Sequence, residues 1–394
     1  MPGPRVQLPG TPSGGPPRGT SGIPWPTPRP TMPRAICATS PPRRAPACDR
    51  SVSMAVTFSP AAFRACGGSA IAVATGEVDL ALGADQGGSV RVPAAWTGVV
   101  GHKPTHGLVP YTGMVGIENT IDHAGPLAPD VETAARALDA MAGRDPADPR
   151  QPVTVPDPDC ATSLDGDPSE FSVAVVEEGF TQPETDERVN DSVRAALDAL
   201  ADAGATVESV SLPVHADATE IYTAALAEGT LAAVEGEGVG HNWKGRYDVD
   251  WVDHFGRARR ERGDLFPPSV VYTLLLGAYT RERFRSKYYV TAMNLRREVT
   301  AAYDALLGEY DMLAMPTAPQ LPHEYDPDQN RTEFLADAWG SLANTAPFNA
   351  SGHPALSVPV APVDGLPVGL MLVAERFDEA SLFTLASAYE QSDE

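Results

Sequence analysis

The residues best suited to chemistry are Asp85-Gln86-Gly87-Gly88-Ser89. A serine behind two glycines can attack a carbonyl. Glycine lets main-chain N–H groups converge on the oxyanion that forms, and it leaves no side chain in a substrate's path. Ser89 is therefore the candidate nucleophile, and Gln86, Gly87 and Gly88 are the candidate oxyanion and substrate-binding loop. The same run also reads as a plain glycine turn whose serine bonds its own backbone, and so short a motif favours that reading by spacing alone. A serine nucleophile needs a base. His102, His106 and His123 follow it, so a Ser-His pair is one option, although Val90 and Arg91 after Ser89 exclude a G-x-S-x-G elbow. Asp85, Arg91, Asn119, Asp122 and His123 are expected to tie the glycine-rich loops together through hydrogen bonds and an ion pair. The body of the chain holds no H-E-x-x-H, no cysteine pair, no P-loop and no G-x-G-x-x-G, so neither a metal nor an organic cofactor is expected.

These residues need a scaffold, and its elements can be read in order. Ala70–Ala74 are small and apolar, suiting a helix packed close to a sheet, and Val78–Leu82 reads as a short buried strand. Glycines and prolines between Gly87 and Gly116 leave room for few long elements. Pro129–Gly143 is a helix capped by Asp130, with Val131, Ala135, Leu138 and Met141 on one face. Arg144–Glu170 is a Pro/Asp-rich surface linker. Phe171–Val176, a helix through Val189, Val193, Leu197 and Leu200 stopped by Gly204, and Thr206–Leu212 form a β-α-β unit. Residues 216–300 are mostly helical, with Trp243 and Tyr288–Tyr289 expected in the core or a pocket wall. Asp311–Met315 is a strand, Ser357–Val363 and Leu366–Val373 flank the hairpin turn Asp364-Gly365, and Asp378 caps a last helix. The sum is an α/β fold with a mixed β-sheet core surrounded by helices.

Composition divides the chain in two. Residues 1–66 hold fifteen prolines, three of the four cysteines and eight arginines against one acid, so they carry +7 and leave −30 for the rest of a chain whose net charge is −23. Proline at that density opposes helix and strand, and the segment is expected to be disordered. A transit peptide, a Pro-rich interaction tail and a stretch read in a shifted frame all stay open; the abrupt swing in charge, cysteine and lysine usage favours the last. Residues 67–394 form the folded domain. Its acidity argues against nucleic acid and fits solubility in high salt, as in a halophilic, acidic proteome. Its lone Cys160 and the lack of any long apolar run point to a reducing, cytoplasmic setting without a membrane partner.

Beyond spacing, Gly67–Pro126 closely resembles the signature block of the amidase signature family, serine hydrolases that cut carboxamides. MPTAPQ (Met315–Gln320), NTAPFNASGHPALSVP (Asn344–Pro359) and DGLPVGLMLVAERFDEASL (Asp364–Leu382) resemble the family's closing segment. Within the family, the stretch GHKPTHGLVPYTGMVGIENTIDHAGP is more similar to the stand-alone amidases associated with nitrile metabolism than to the subunit that feeds tRNA amidation. The resemblance implies the amidase signature fold, a small-molecule amide substrate, no cofactor, and a Ser–cis-Ser–Lys triad in which Ser89 forms the acyl-enzyme. A homodimer stays open.

The same resemblance marks a departure. A Gly-Gly-Ser-Ser-Gly-Gly-Ser run aligned on Ser69 puts the relay serine at position 65, which is alanine. The base lysine belongs further upstream, and residues 1–66 contain no lysine. Lys103 follows Ser89 and matches a different, structural position of the family. Three expectations follow: an amidase by descent that lacks its relay and base here, a catalytically inactive amidase-like fold, or an A-type component of an amidotransferase. An N-terminally incomplete domain is also expected to leave apolar surface uncovered beside its sheet and to fold poorly.

Overall fold

The computed structural model of the chain describes residues 66–240, 245–324, 326 and 328–392. The arginine-rich segment through Ala65, and Trp243, lie outside the described residues. Small side chains set the first contacts. Helix α1 (Gly67–Ala74) uses Ala70 and Val73 to pack on Val90, Ala94, Val99 and Leu127.

Strand β1 is Ala81–Asp85, three residues beyond the expected start at Val78, and Val78 and Leu80 are exposed. Close packing decides this register: Gly83 sits where a Cβ would meet Cys66 Sγ and Val90 Cγ2, which no larger residue in the run could do. Two short elements follow, α2 (Arg91–Thr97) and β2 (Val100–Lys103), and then β3 (His123–Ala128), a strand that the local sequence does not suggest. Gly125 reads as a breaker, yet the strand requires it, because a Cβ there would run into the His102 carbonyl.

Helix α3 (Val131–Met141) starts as expected, with the Asp130 carboxylate accepting the Thr133 N–H at 2.7 Å. Strand β4 (Ser172–Val176), helix α4 (Glu187–Asp202) and strand β5 (Thr206–Val210) form the β-α-β unit. Four helices then follow, α5 (Val214–Glu235), α6 (Val249–Glu261), α7 (Pro268–Phe284) and α8 (Lys287–Leu307), leading into β6 (Met312–Pro316). Two further helices were not expected: α9 (Arg331–Gly340), opened by an Asn330/Glu333 capping box, and the short α10 (Ala346–Ser351). The hairpin β7 (Ala355–Val363) and β8 (Leu366–Ala374) turns at Asp364-Gly365, both at positive φ, before α11 (Glu379–Ser392) closes the described chain.

The eight strands form one mixed sheet in the order β1-β3-β2-β7-β8-β6-β4-β5. The β4–β5 and β4–β6 pairs are parallel and the others antiparallel. Its central strands are largely apolar, as burial on both faces demands: Leu313, Met315, Leu370 and Leu372 are fully buried, with Leu138, Val193, Leu200, Phe348 and Phe383 packing in the same core. Leu82 on edge strand β1 is 58% exposed. Tyr288 is 51% exposed on α8 and belongs to neither core nor pocket, contrary to expectation; it packs edge-on against Phe284 at the surface. Among the described residues no helix is long and apolar enough to cross a membrane.

Candidate active site

Ser89 lies in the turn between β1 and α2, so the end of an edge strand and the start of a helix fix its position. What holds that turn is a buried polar cluster. Arg91 and Asp85 have fully buried side chains and form a forked ion pair, Arg91 Nε donating to Asp85 Oδ2 at 3.1 Å and Nη2 to Oδ1 at 3.0 Å. The Asp85 carboxylate also accepts the Val90 N–H at 3.2 Å, which ties the strand end to the residue after the serine. Asn349 of α10 closes the cluster: its Nδ2 donates to Asp85 O and Oδ1, each at 2.9 Å, and its Oδ1 accepts from Arg91 Nη2 at 2.7 Å. Burial pushes the Asp85 carboxyl up, but the charge and hydrogen bonds of Arg91, with those of Asn349, outweigh it and hold the group below the usual carboxylate range. The expected ion pair is therefore present, and it supports the candidate loop. Asp122 accepts the N–H groups of Ile117 (2.9 Å) and Glu118, and His106 Nε2 meets Asn119 O at 3.0 Å, so these residues tie loops as expected.

Gln86, Gly87, Gly88 and Ser89 line one cavity together. Gln86 Nε2 donates to Tyr111 Oη at 2.8 Å, and Thr345 Oγ1 donates to Gly87 O at 2.6 Å, which pins the loop from both sides. Gly88 has φ +139°, a conformation that side-chain-bearing residues rarely adopt. Among the described residues, none bonds to Ser89 Oγ or accepts from the main-chain N–H of Gln86, Gly87, Gly88 or Ser89. Among the described residues, the loop at the cavity wall therefore holds a hydroxyl and several N–H groups without a partner, and an oxyanion site requires donors of that kind.

Neither glycine tolerates a side chain. A Cβ on Gly87 would run into the Tyr222 hydroxyl, and one on Gly88 into Thr345 Oγ1. Gly88→Ala is expected to destabilise the fold by about 1–3 kcal/mol through strain and displacement of Thr345. Gly113→Ala also has positive φ but meets no neighbour, so it should cost about 1 kcal/mol or less. Thermal melts of the two variants would show the difference, and equal losses would mean that Thr345 gives way freely.

The histidines do not form a pair with the serine. His123 Nδ1 meets Ile121 O at 2.7 Å, His106 bonds Asn119 O, and His102 packs edge-on against Phe383 with both ring nitrogens unpartnered among the described residues. Burial lowers all three toward neutrality. Lys103 is fully buried and donates to the carbonyls of His353 (2.5 Å) and Pro104 (3.1 Å), with burial and then Arg91 pulling its ammonium well below the usual range. Cys66 donates its main-chain N–H to Ser89 O at 3.0 Å, while burial pushes its thiol up to about 11, so it offers no thiolate base.

Tyr222, Thr345, Asn349 and the cavity wall at 338–342 were not anticipated from the sequence. Thr345 and Asn349 lie in the block NTAPFNASGHPALSVP, which was a visible signal. Tyr222 carried none. Helix α5 presents it with Leu226 and Thr230 at i, i+4 and i+8 along one face of the cavity, and Ser269, Val270 and Thr273 of α7 supply another.

Comparison with known proteins agrees with this architecture. The family model described as Amidase matches residues 65–383. The chain is 41% identical over 327 residues to an enantioselective amidase of Rhodococcus rhodochrous, covering 82% of this chain and 63% of that protein. It is 40% identical over 332 residues to the A-type component of the glutamyl-tRNA(Gln) amidotransferase of Halobacterium salinarum, covering 82% and 75%. Among solved structures, the corresponding A-type component of the glutamyl-tRNA(Gln) amidotransferase of Thermotoga maritima superposes with a TM-score of 0.64 at 30% identity, covering 82% of this chain and 64% of that one. The chain thus spans less than two thirds of the length of the Rhodococcus amidase and of the Thermotoga protein. With its mixed sheet, its signature block and these relatives, the chain belongs to the amidase signature family, hydrolases acting on amides.

Proposed function

We propose that Ser89 is the acyl-forming nucleophile of a small-carboxamide hydrolase, that Gln86, Gly87 and Gly88 hold the oxyanion, and that the site is idle or nearly so in this chain. The observation that carries the reading is that, among the described residues, nothing bonds the Ser89 hydroxyl or the neighbouring main-chain N–H groups at the cavity wall. In the reaction, Ser89 Oγ attacks the carbonyl carbon, the amide C–N bond breaks, and nitrogen leaves as ammonia with the serine proton; water then splits the acyl ester to the acid. Both proton movements need a base and a relay. Alanine at position 65 and the lack of lysine in residues 1–66 support the reading that these two partners are missing.

An activated ester lessens the demand on the missing base, because nitrophenolate leaves without a proton and the serine proton can pass to buffer base at leisure. Incubation with 4-nitrophenyl acetate is expected to leave an acetyl ester on the peptide holding Ser89, seen by mass spectrometry and lost in Ser89→Ala. An intact Ser89 peptide after prolonged reaction would reject the assignment.

A second reading, an A-type component of an amidotransferase, is favoured by the 40% identity to the Halobacterium protein over 75% of its length. Stable co-purification with a partner protein and tRNA-linked amidation would support it. Amide hydrolysis by the isolated chain would reject it.

A further inference from the structure

We infer that the cavity beside Ser89 takes the acyl part of an uncharged carboxamide about as bulky as one aromatic ring, and turns away acyl groups that carry charge. This rests on the reading that Ser89 marks the amide site. Size gives the first bound. The cavity holds about 200 Å³, and an apolar protein cavity of about 150 Å³ accommodates benzene. One ring fits within that volume, and a second fused ring has to extend past it.

The walls give the second bound. Val92, Leu226, Val270, Trp339 and Leu342 make the cavity apolar, and its polar groups away from the Ser89 loop are hydroxyls such as Thr230 and Thr273. Among the described residues, no charged side chain lines it. An ammonium or carboxylate brought in would lose its water and find no counter-ion, a cost that apolar contact does not offset. A neutral ring instead buries one face and its edges against aliphatic and aromatic walls, with Trp339 held edge-on to Tyr272 at 6.0 Å between ring centroids. The fold also explains why this selection escapes the sequence: its determinants come from α2, α5, α7 and the 338–342 segment, four stretches far apart in the chain.

The test is equilibrium binding to the full-length chain, by calorimetry or saturation-transfer NMR, with benzamide, propionamide, 1-naphthamide and L-glutamine. Benzamide should bind at least about tenfold tighter than propionamide from the extra apolar area it buries. L-glutamine and 1-naphthamide should show no saturable binding. Two cavity-filling variants, Ala338→Leu and Val270→Phe, should each weaken benzamide at least about tenfold and propionamide less than about threefold; circular dichroism identifies a variant that has lost its fold, and the other then decides.

L-glutamine or 1-naphthamide binding within threefold of benzamide, or benzamide binding untouched by a folded filling variant, would overturn the inference. The two readings fail separately. An unacetylated Ser89 with benzamide still selected would sink the nucleophile assignment alone. Acetylated Ser89 with no preference among the amides would sink the pocket assignment alone.

Discussion

Purified chain is expected to release ammonia from benzamide about 10³- to 10⁶-fold more slowly than an amidase holding all three triad members, and Ser89→Ala is expected to slow it by less than about threefold. A nucleophile, relay and base act as a single proton-transfer device, so losing two members removes most of what the third can contribute. Under the proposed assignment, what remains is the oxyanion loop, whose main-chain N–H groups would still stabilise developing negative charge. Ammonia makes the deficit severe, because the amide nitrogen is a poor leaving group until protonated. None of the described groups near the serine can stand in: the Cys66 thiol stays protonated, Lys103 is committed to two carbonyls, and the three nearby histidines are not bonded to Ser89. Coupled ammonia detection on wild type, Ser89→Ala and an intact relative measures both ratios. A rate within tenfold of the relative, abolished by Ser89→Ala, would show a working base in the chain.

Arg91→Met is expected to destabilise the protein by about 3–5 kcal/mol at neutral pH, measured by urea unfolding. Methionine keeps much of the buried stem but leaves Asp85 fully buried without its counter-ion. The pH dependence follows from the direction of the Asp85 shift. In the wild type its carboxyl is held low, so its stabilising contribution is present above the unfolded value near 3.9 and is lost as pH falls through the folded value. In Arg91→Met, burial, the largest influence, is opposed only by Asn349 and Lys103 and is expected to push the carboxyl up, so the penalty is absent below the unfolded value and grows as pH rises. The gap between the two proteins should therefore be widest near neutrality and should narrow toward pH 4. Adding Asp85→Asn to Arg91→Met should recover part of the loss, because it removes the stranded charge. A gap that is constant with pH would mean that shape, not charge, sets the cost.

Much of the fold was legible because local chemistry and tertiary position agree. The Asp130 cap, the Gly204 stop and the Asp364-Gly365 turn each follow from backbone needs that neighbours do not alter. Strand β3 was not legible, since Gly125 and Pro126 look like breakers until the His102 carbonyl is seen to occupy the space a side chain would take. The shift of β1 away from Val78 has the same origin, a close approach at Gly83 that only the packed neighbours define. Tyr222 failed for a different reason: a tyrosine on an apolar helix face looks the same whether it fills a core or borders a cavity.

For the site, the order of residues alone offered Asp85–Ser89 as a candidate, through glycine's backbone freedom and a serine in reach of it, while so short a motif by itself favoured a plain turn. Family resemblance supplied the role proposed for Ser89 and drew attention to the alanine at position 65. What holds and surrounds that loop emerges only in the folded molecule. Asn349 lies 264 residues from Asp85 in the chain, Thr345 reaches Gly87 across 258, and the cavity draws its walls from helices that share no local pattern with it. Spacing rules carry over one turn of helix or one strand, whereas a buried ion pair and a pocket are properties of surfaces that meet only on folding.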